Sequence, residues 1–213
     1  PLGILLTVIK IRLAIPDQVF MKVYLLGAVI TIAIAVLVNV IWQLLFFKKL
    51  IRLHSILTTD KNPELFISEN EKLLRRVKAK HNIVLVLLNL AAGYSEQGDY
   101  SKAKEILLSA PIKGVKGIIK VIYYSNLSYF HFLVGENEQG MAIMDACEKE
   151  FRQFHNHRDL GGRIAVDRIY YQMVKGHLDT AQKLLTSAKE KWTDQTLADD
   201  FERLTGKIEE LLN

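Results

Sequence analysis

The hydrophobic positions fall into two regimes. From Val23 to Phe47 the chain reads VYLLGAVITIAIAVLVNVIWQLLFF, twenty-five residues without a charge. At about 1.5 Å per residue, a helix of that length exceeds the roughly 30 Å hydrocarbon core of a bilayer. The segment ends in Trp42, Phe46 and Phe47, followed by Lys48, Lys49 and Arg52, the aromatics and cations of an interfacial anchor. A cleaved signal peptide has a shorter apolar region ending at small residues, so this span is expected to stay. Beyond residue 60 the apolar positions recur every three or four residues, as in Leu65, Phe66, Leu73, Leu74 and Val77, and again in Leu197, Phe201, Leu204, Ile208 and Leu211. No stretch there alternates apolar and polar residues between hairpin turns. The pattern predicts an all-α chain: a single N-terminal transmembrane helix followed by a helical domain.

The expected divisions are an N-terminal extension over 1–20, a transmembrane anchor over 21–50, a connector over 51–62 and the helical domain over 63–213. Residues 1–20 are apolar but broken by Lys10, Arg12 and Pro16, so they make no second span, and Met21-Lys22 resembles a start. Asn62-Pro63-Glu64 has the form of a helix start. Within the span Gly27, Thr31, Ala35, Asn39 and Gln43 recur every fourth residue. Small residues let helices approach and amides bond across the contact, so this stripe is the candidate for association, including homo-oligomerisation. Chance, with Asn39 and Gln43 near the interface, is the alternative.

Residues 87–110 read LLNLAAGYSEQGDYSKAKEILLSA. Leu87, Leu90, Ala91 and Tyr94 are followed by Gly98-Asp99-Tyr100, then by Ala103, Leu107 and Ala110. This resembles the tetratricopeptide repeat, a 34-residue pair of antiparallel helices. Fainter copies surround Gly135 (Tyr124, Leu127, Ser128 and His131 before it; Asn137, Gly140, Met144 and Cys147 after) and Gly176 (Ala181, Leu185 and Ala188 after). In the last copy Ile169 and Gln172 stand where the family has Ala and Tyr. The glycines are spaced by 37 and 41 residues rather than 34, which implies longer loops or helices. The resemblance implies a solenoid of about three helical hairpins, over 82–115, 117–155 and 160–193, with a C-terminal capping helix over 194–213. It also implies a concave groove that binds a protein or peptide partner. Projected from the helical spacing, Leu85, Leu88, Ala92, Ser125, Asn126, Tyr129, Arg163, Val166 and Tyr170 line that groove, unless the chain's own terminal helices fill it.

Charge and chemistry change this picture little. The net charge of +5 arises mostly in the first sixty residues, which hold six Lys/Arg against two Asp/Glu. No nucleic-acid partner is expected on that account. The segment KLLRRVKAK over 72–80 carries five bases and no acid, either to meet anionic lipid or only to solubilise a helix. Asp199-Asp200 and Glu209-Glu210 read as a solvated helix face. A lone Cys147 excludes a disulfide scaffold, and His155 and His157 lack the further ligands that a metal needs. No phosphate loop, dinucleotide fingerprint or zinc motif is present. We therefore expect no enzyme, no catalytic residue, no metal and no cofactor, but a membrane-anchored scaffold or adaptor. The cations after the span place the C-terminal domain in the cytoplasm. The alternatives are the same architecture facing outward as a chaperone-like envelope adaptor, and an enzyme with a site that no motif betrays.

Overall fold

The computed structural model describes residues 10–12, 14 and 16–212. The rest of the 1–20 segment, residues 1–9, 13 and 15, lies outside them, as does Asn213. Among the described residues every regular element is a helix. Helix α1 spans Asp17–Thr58 and takes part in two compact units, one ending at Arg52 and the other beginning at Leu53. In the first unit no described residue is buried, and Leu26, Val29 and Trp42 are 62%, 62% and 69% exposed. Water does not tolerate so continuous an apolar surface. By length and composition α1 can cross a membrane.

The second unit opens with the last turns of α1, whose Leu53 and Leu57 are buried with Phe66. The connector expected over 51–62 is thus reduced to residues 59–62. Leu53, Ile56 and Leu57 make a helical apolar face, and burying it on Phe66 extends α1 beyond the polar residues that suggested a loop. Lys61 then turns the chain with a φ of 49°. Asn62 caps α2 (Pro63–Leu74), its Oδ1 accepting from the Leu65 N–H at 2.9 Å.

Three hairpins follow: α3 (Lys80–Glu96) with α4 (Tyr100–Leu108), α5 (Ile118–Leu133) with α6 (Asn137–Ala146), and α8 (Gly161–Val174) with α9 (Leu178–Lys191). Their turns are copies of one another. Gly98, Gly135 and Gly176 all take a left-handed φ, between 76° and 80°. The next N–H donates five residues back, from Asp99 to Tyr94, Glu136 to His131 and His177 to Gln172, each at 2.9 Å. That bond satisfies a carbonyl left orphaned by the helix end, and the left-handed residue it needs is least strained as glycine. Four residues after each bonded N–H comes a small residue, Ala103, Gly140 or Ala181, buried where the second helix meets the first. At Gly140 an added Cβ would lie 2.7 Å from the Phe132 ring.

The wide spacing between turns has two sources. A loop over 109–117 separates the first two hairpins. The second arm of the second hairpin bends at Cys147 (φ −108°, ψ 9°) and continues as α7 (Glu148–Phe154). Behind a short 3₁₀ turn at Gln195–Leu197, α10 (Ala198–Leu212) packs on α8 and α9. One apolar cluster runs from Val84 through Leu107, Tyr129, Phe151 and Ile169 to Ile208. Because Ala103 is fully buried, Ala103→Leu should destabilise the domain by about 1–3 kcal/mol, whereas Ser101→Ala on the exposed side should change little. Thermal unfolding of the detergent-solubilised chain, followed by circular dichroism, measures both.

Candidate functional site

The polar chemistry of the second unit gathers where α10 crosses the inner side of the hairpins. Asp200 is 4% exposed, correcting the expectation that Asp199-Asp200 is a solvated pair. Only Asp199 is exposed. Asp200 lies three residues after Leu197 and four before Leu204, so it shares their buried stripe. Its Oδ2 is 2.8 Å from Arg163 Nη1. Its Oδ1 accepts from the Tyr129 hydroxyl and from Arg203 Nη1 at 3.3 Å. Arg203 also donates to the Tyr129 hydroxyl at 2.8 Å and to that of Tyr100 at 3.2 Å. The Arg163 guanidinium stacks 4.3 Å from the Tyr129 ring centroid, and Lys207 sits 5.3 Å from that of Tyr170. A carboxylate with two guanidiniums and a phenol around it is paired on every side, the condition under which a buried charge is tolerated.

Asp167, one turn along α8 from Arg163, is fully buried. It accepts a hydrogen bond from Ser125 on α5, and its Oδ1 has no hydrogen-bond partner among the described residues. Burial pushes its carboxyl up to about 8, against the smaller downward pulls of Ser125 and Arg163. Burial likewise raises the Tyr170 hydroxyl to about 12. Asp167 is therefore a neutral acid at pH 7, held inside the fold.

The nine residues expected to line a groove are divided by this arrangement. Leu88, Ser125, Tyr129, Val166 and Tyr170 are buried, and Leu85, Ala92, Asn126 and Arg163 are half-buried. Tyr129 and Tyr170 do not face an open channel, because α10 fills that space with Asp200, Arg203 and Lys207. Leu85 and Leu88 join the main core, and Ala92 packs against the Leu53 cluster. Ser125, Asn126 and Arg163 do meet. They share the wall of a 680 Å³ cleft bounded by α5, the start of α8 and the connector from α9 to α10. Arg158, Asp159, Lys191, Trp192 and Asp194 complete its rim. The apolar spacing alone could not have shown these rim residues. A signal existed in Gly161-Gly162, where a Cβ would collide with Trp192 and Leu197 respectively; paired glycines at a helix start mark a close approach.

The stripe expected to mediate association lies along α1, with Gly27, Thr31, Ala35 and Asn39 exposed and Gln43 half-buried. Nothing lies within 4 Å of a Cβ placed at Gly27, and the Thr31 hydroxyl donates to the Gly27 carbonyl at 2.8 Å. Elsewhere, His131 Nδ1 is 2.7 Å from Glu136 and the buried Cys147 thiol is pushed up by desolvation. Among the described residues no group of three or more His, Cys, Asp or Glu converges as a metal site would require. No family model matches the chain, and neither does any curated protein or solved structure.

Two predictions follow from the buried acids. Asp200→Ala leaves Arg163 without its counter-ion, and should cost about 3–5 kcal/mol in urea unfolding, with α10 the first element to lose amide protection. Asp167 acts in the opposite sense. Its folded value of about 8 exceeds the ordinary 3.8, so between these limits the folded state holds more protons than the unfolded chain. Its contribution to stability falls as pH rises through that window and is flat above it. The difference in stability between wild type and Asp167→Asn should therefore change across this window in the Asn variant's favour and be level above it, as urea midpoints at several pH values will show.

Proposed function

We propose that this chain is a membrane-anchored, tetratricopeptide-like scaffold that binds a segment of a partner protein in the cleft between α5, the start of α8 and the α9–α10 connector. The observation that carries the reading is that cleft. It is lined by the first helices of the second and third hairpins, and its 680 Å³ lies within the roughly 300–1,000 Å³ of ordinary ligand pockets. Its rim mixes cations, acids and the Trp192 ring, a composition suited to a peptide with both apolar and charged side chains. The likeness to tetratricopeptide repeats is supported by the three identical glycine turns and by the small residues Ala91, Ala103 and Ala181, each with no exposed surface. The cover of α10 over Tyr129 and Tyr170 favours a partner site at Asn126 and Arg158.

The mechanism is co-localisation. An anchored domain raises the effective concentration of whatever it holds near the membrane, and the cations after the span favour a cytoplasmic domain. An outward-facing adaptor would use the same cleft. An enzyme is the weaker reading on chemical grounds. Two hydroxyls of the cleft wall stand beside a carboxyl, Ser125 beside Asp167 and Thr196 beside Asp194. Burial pushes the first carboxyl up toward its protonated form, and hydrogen bonds from Thr196 hold the second below the usual range, so neither is tuned as a base near neutral pH.

Site-specific photo-crosslinking in the native membrane tests the proposal. A photoreactive residue at Asn126 should yield a discrete adduct, and one at the exposed Lys183 should not. Trp192→Ala should reduce the Asn126 adduct by at least about tenfold, the scale of losing one aromatic anchor. Equal adducts at Asn126 and Lys183, or none at Asn126, would remove the cleft from the account.

A further inference from the structure

Charge is spread unevenly over the hairpin ends, although Lys175 is exposed at one glycine turn and Asp159 and Asp194 are exposed at two of the links. Each hairpin has a tight glycine turn at one end and its links to neighbouring helices at the other. The exposed turn residues include Glu96, Asp99, Glu138 and Asp179. The linking end carries the α2–α3 loop, with Arg75, Arg76, Lys78 and Lys80, and the α4–α5 loop, with Lys113 and Lys116. These six cations are all exposed. The two loops are 33 residues apart in sequence but adjacent in space, since the Lys80 ammonium donates to the Lys113 carbonyl. The basic run over 72–80 is thus half of a larger patch whose other half, KGVKG at 113–117, carries no charge signal strong enough to stand out in the sequence.

Clustering six like charges costs energy unless something outside supplies the opposite charge. Among the described residues none of the six makes an ion pair, and the acid beside them, Glu150, is already held by Lys120 at 2.7 Å. Between the cations Ile118 stands 39% exposed, an apolar side chain among basic ones. The loops themselves carry no aromatic residue, and the rings beside Lys113 and Lys116, those of Tyr124 and Phe154, are half-buried, so they offer no open platform of the kind that single-stranded nucleic acid stacks on. The chain also carries a helix long and apolar enough to cross a bilayer.

We propose that the patch formed by Arg75, Arg76, Lys78, Lys80, Lys113 and Lys116 is a docking surface for anionic lipid head groups, with Ile118 reaching into the interface. Each cation near an anionic bilayer strengthens binding severalfold. The inference rests on α1 being inserted in a membrane. It is independent of what the cleft binds, so the crosslinking test above can fail without affecting it.

The full chain is reconstituted into nanodiscs of phosphatidylcholine alone, or of roughly 3:1 phosphatidylcholine to phosphatidylglycerol. A fluorophore is placed at Ala79→Cys in a Cys147→Ala background and quenched by head-group spin labels. Quenching should be several-fold stronger in the anionic discs. It should return to the neutral-disc level in about 1 M salt and in the variant Arg75→Gln/Arg76→Gln/Lys113→Gln/Lys116→Gln. Lys61→Gln/Lys183→Gln should leave it unchanged. Far-UV circular dichroism checks that each variant folds, and the salt arm tests the wild type without substitution. Equal quenching in both discs, or quenching that ignores both salt and the fourfold variant, overturns the proposal. So does a patch that retards an RNA oligonucleotide while its quenching stays at the neutral-disc level.

Discussion

The Asp200 carboxylate holds the second unit closed. Its partners come from three helices besides its own: Arg163 on α8, Tyr129 on α5 and, through Arg203, Tyr100 on α4. A helix carrying Leu197, Phe201, Leu204 and Ile208 would bury its apolar stripe on any comparable surface. A charge that must be desolvated is less permissive, because only one position and register of α10 surrounds it with donors. The apolar stripe supplies the attraction, and Asp200 fixes where α10 comes to rest. That position decides the rest of the site, since it covers Tyr129 and Tyr170 and leaves the cleft at Asn126 as the remaining concavity.

Asp167 sits one turn further along α8, in the same low-dielectric interior, and behaves differently for a reason visible in its contacts. Asp200 has two guanidiniums; Asp167 has one hydroxyl and an oxygen with no hydrogen-bond partner among the described residues. Burial without a directly bonded cation pushes the Asp167 carboxyl up, against the smaller pulls of Ser125 and Arg163, and the Arg163 guanidinium lies near both acids.

The parts of this fold legible in the sequence are those that local rules determine. The apolar run of α1, the Asn62 cap and the turns at Gly98, Gly135 and Gly176 each follow from residues within a few positions of one another. What stayed hidden depends on long-range packing. Asp200 looked like half of a solvated pair because its neighbour Asp199 is one. Its own register against Leu197 and Leu204 was the available signal. The connector was drawn too long because Leu53 and Leu57 are buried by Phe66, a partner beyond the turn. Ser125, Asn126 and Arg163 reach the cleft, while Tyr129 and Tyr170 lie under α10, a cover that helical spacing does not reveal. The meeting of the two basic loops is a property of the hairpin topology and of no segment taken singly.

Helix α10 is an integral wall of the domain and not a removable cover. Native-state hydrogen exchange on the intact chain tests this most directly. Amides of α10 around Phe201–Ile208 should exchange as slowly as those of α8 around Ile164–Ile169, both limited by global unfolding. Rapid exchange confined to α10, with α5 and α8 still protected, would contradict the account and return Tyr129 and Tyr170 to an open groove.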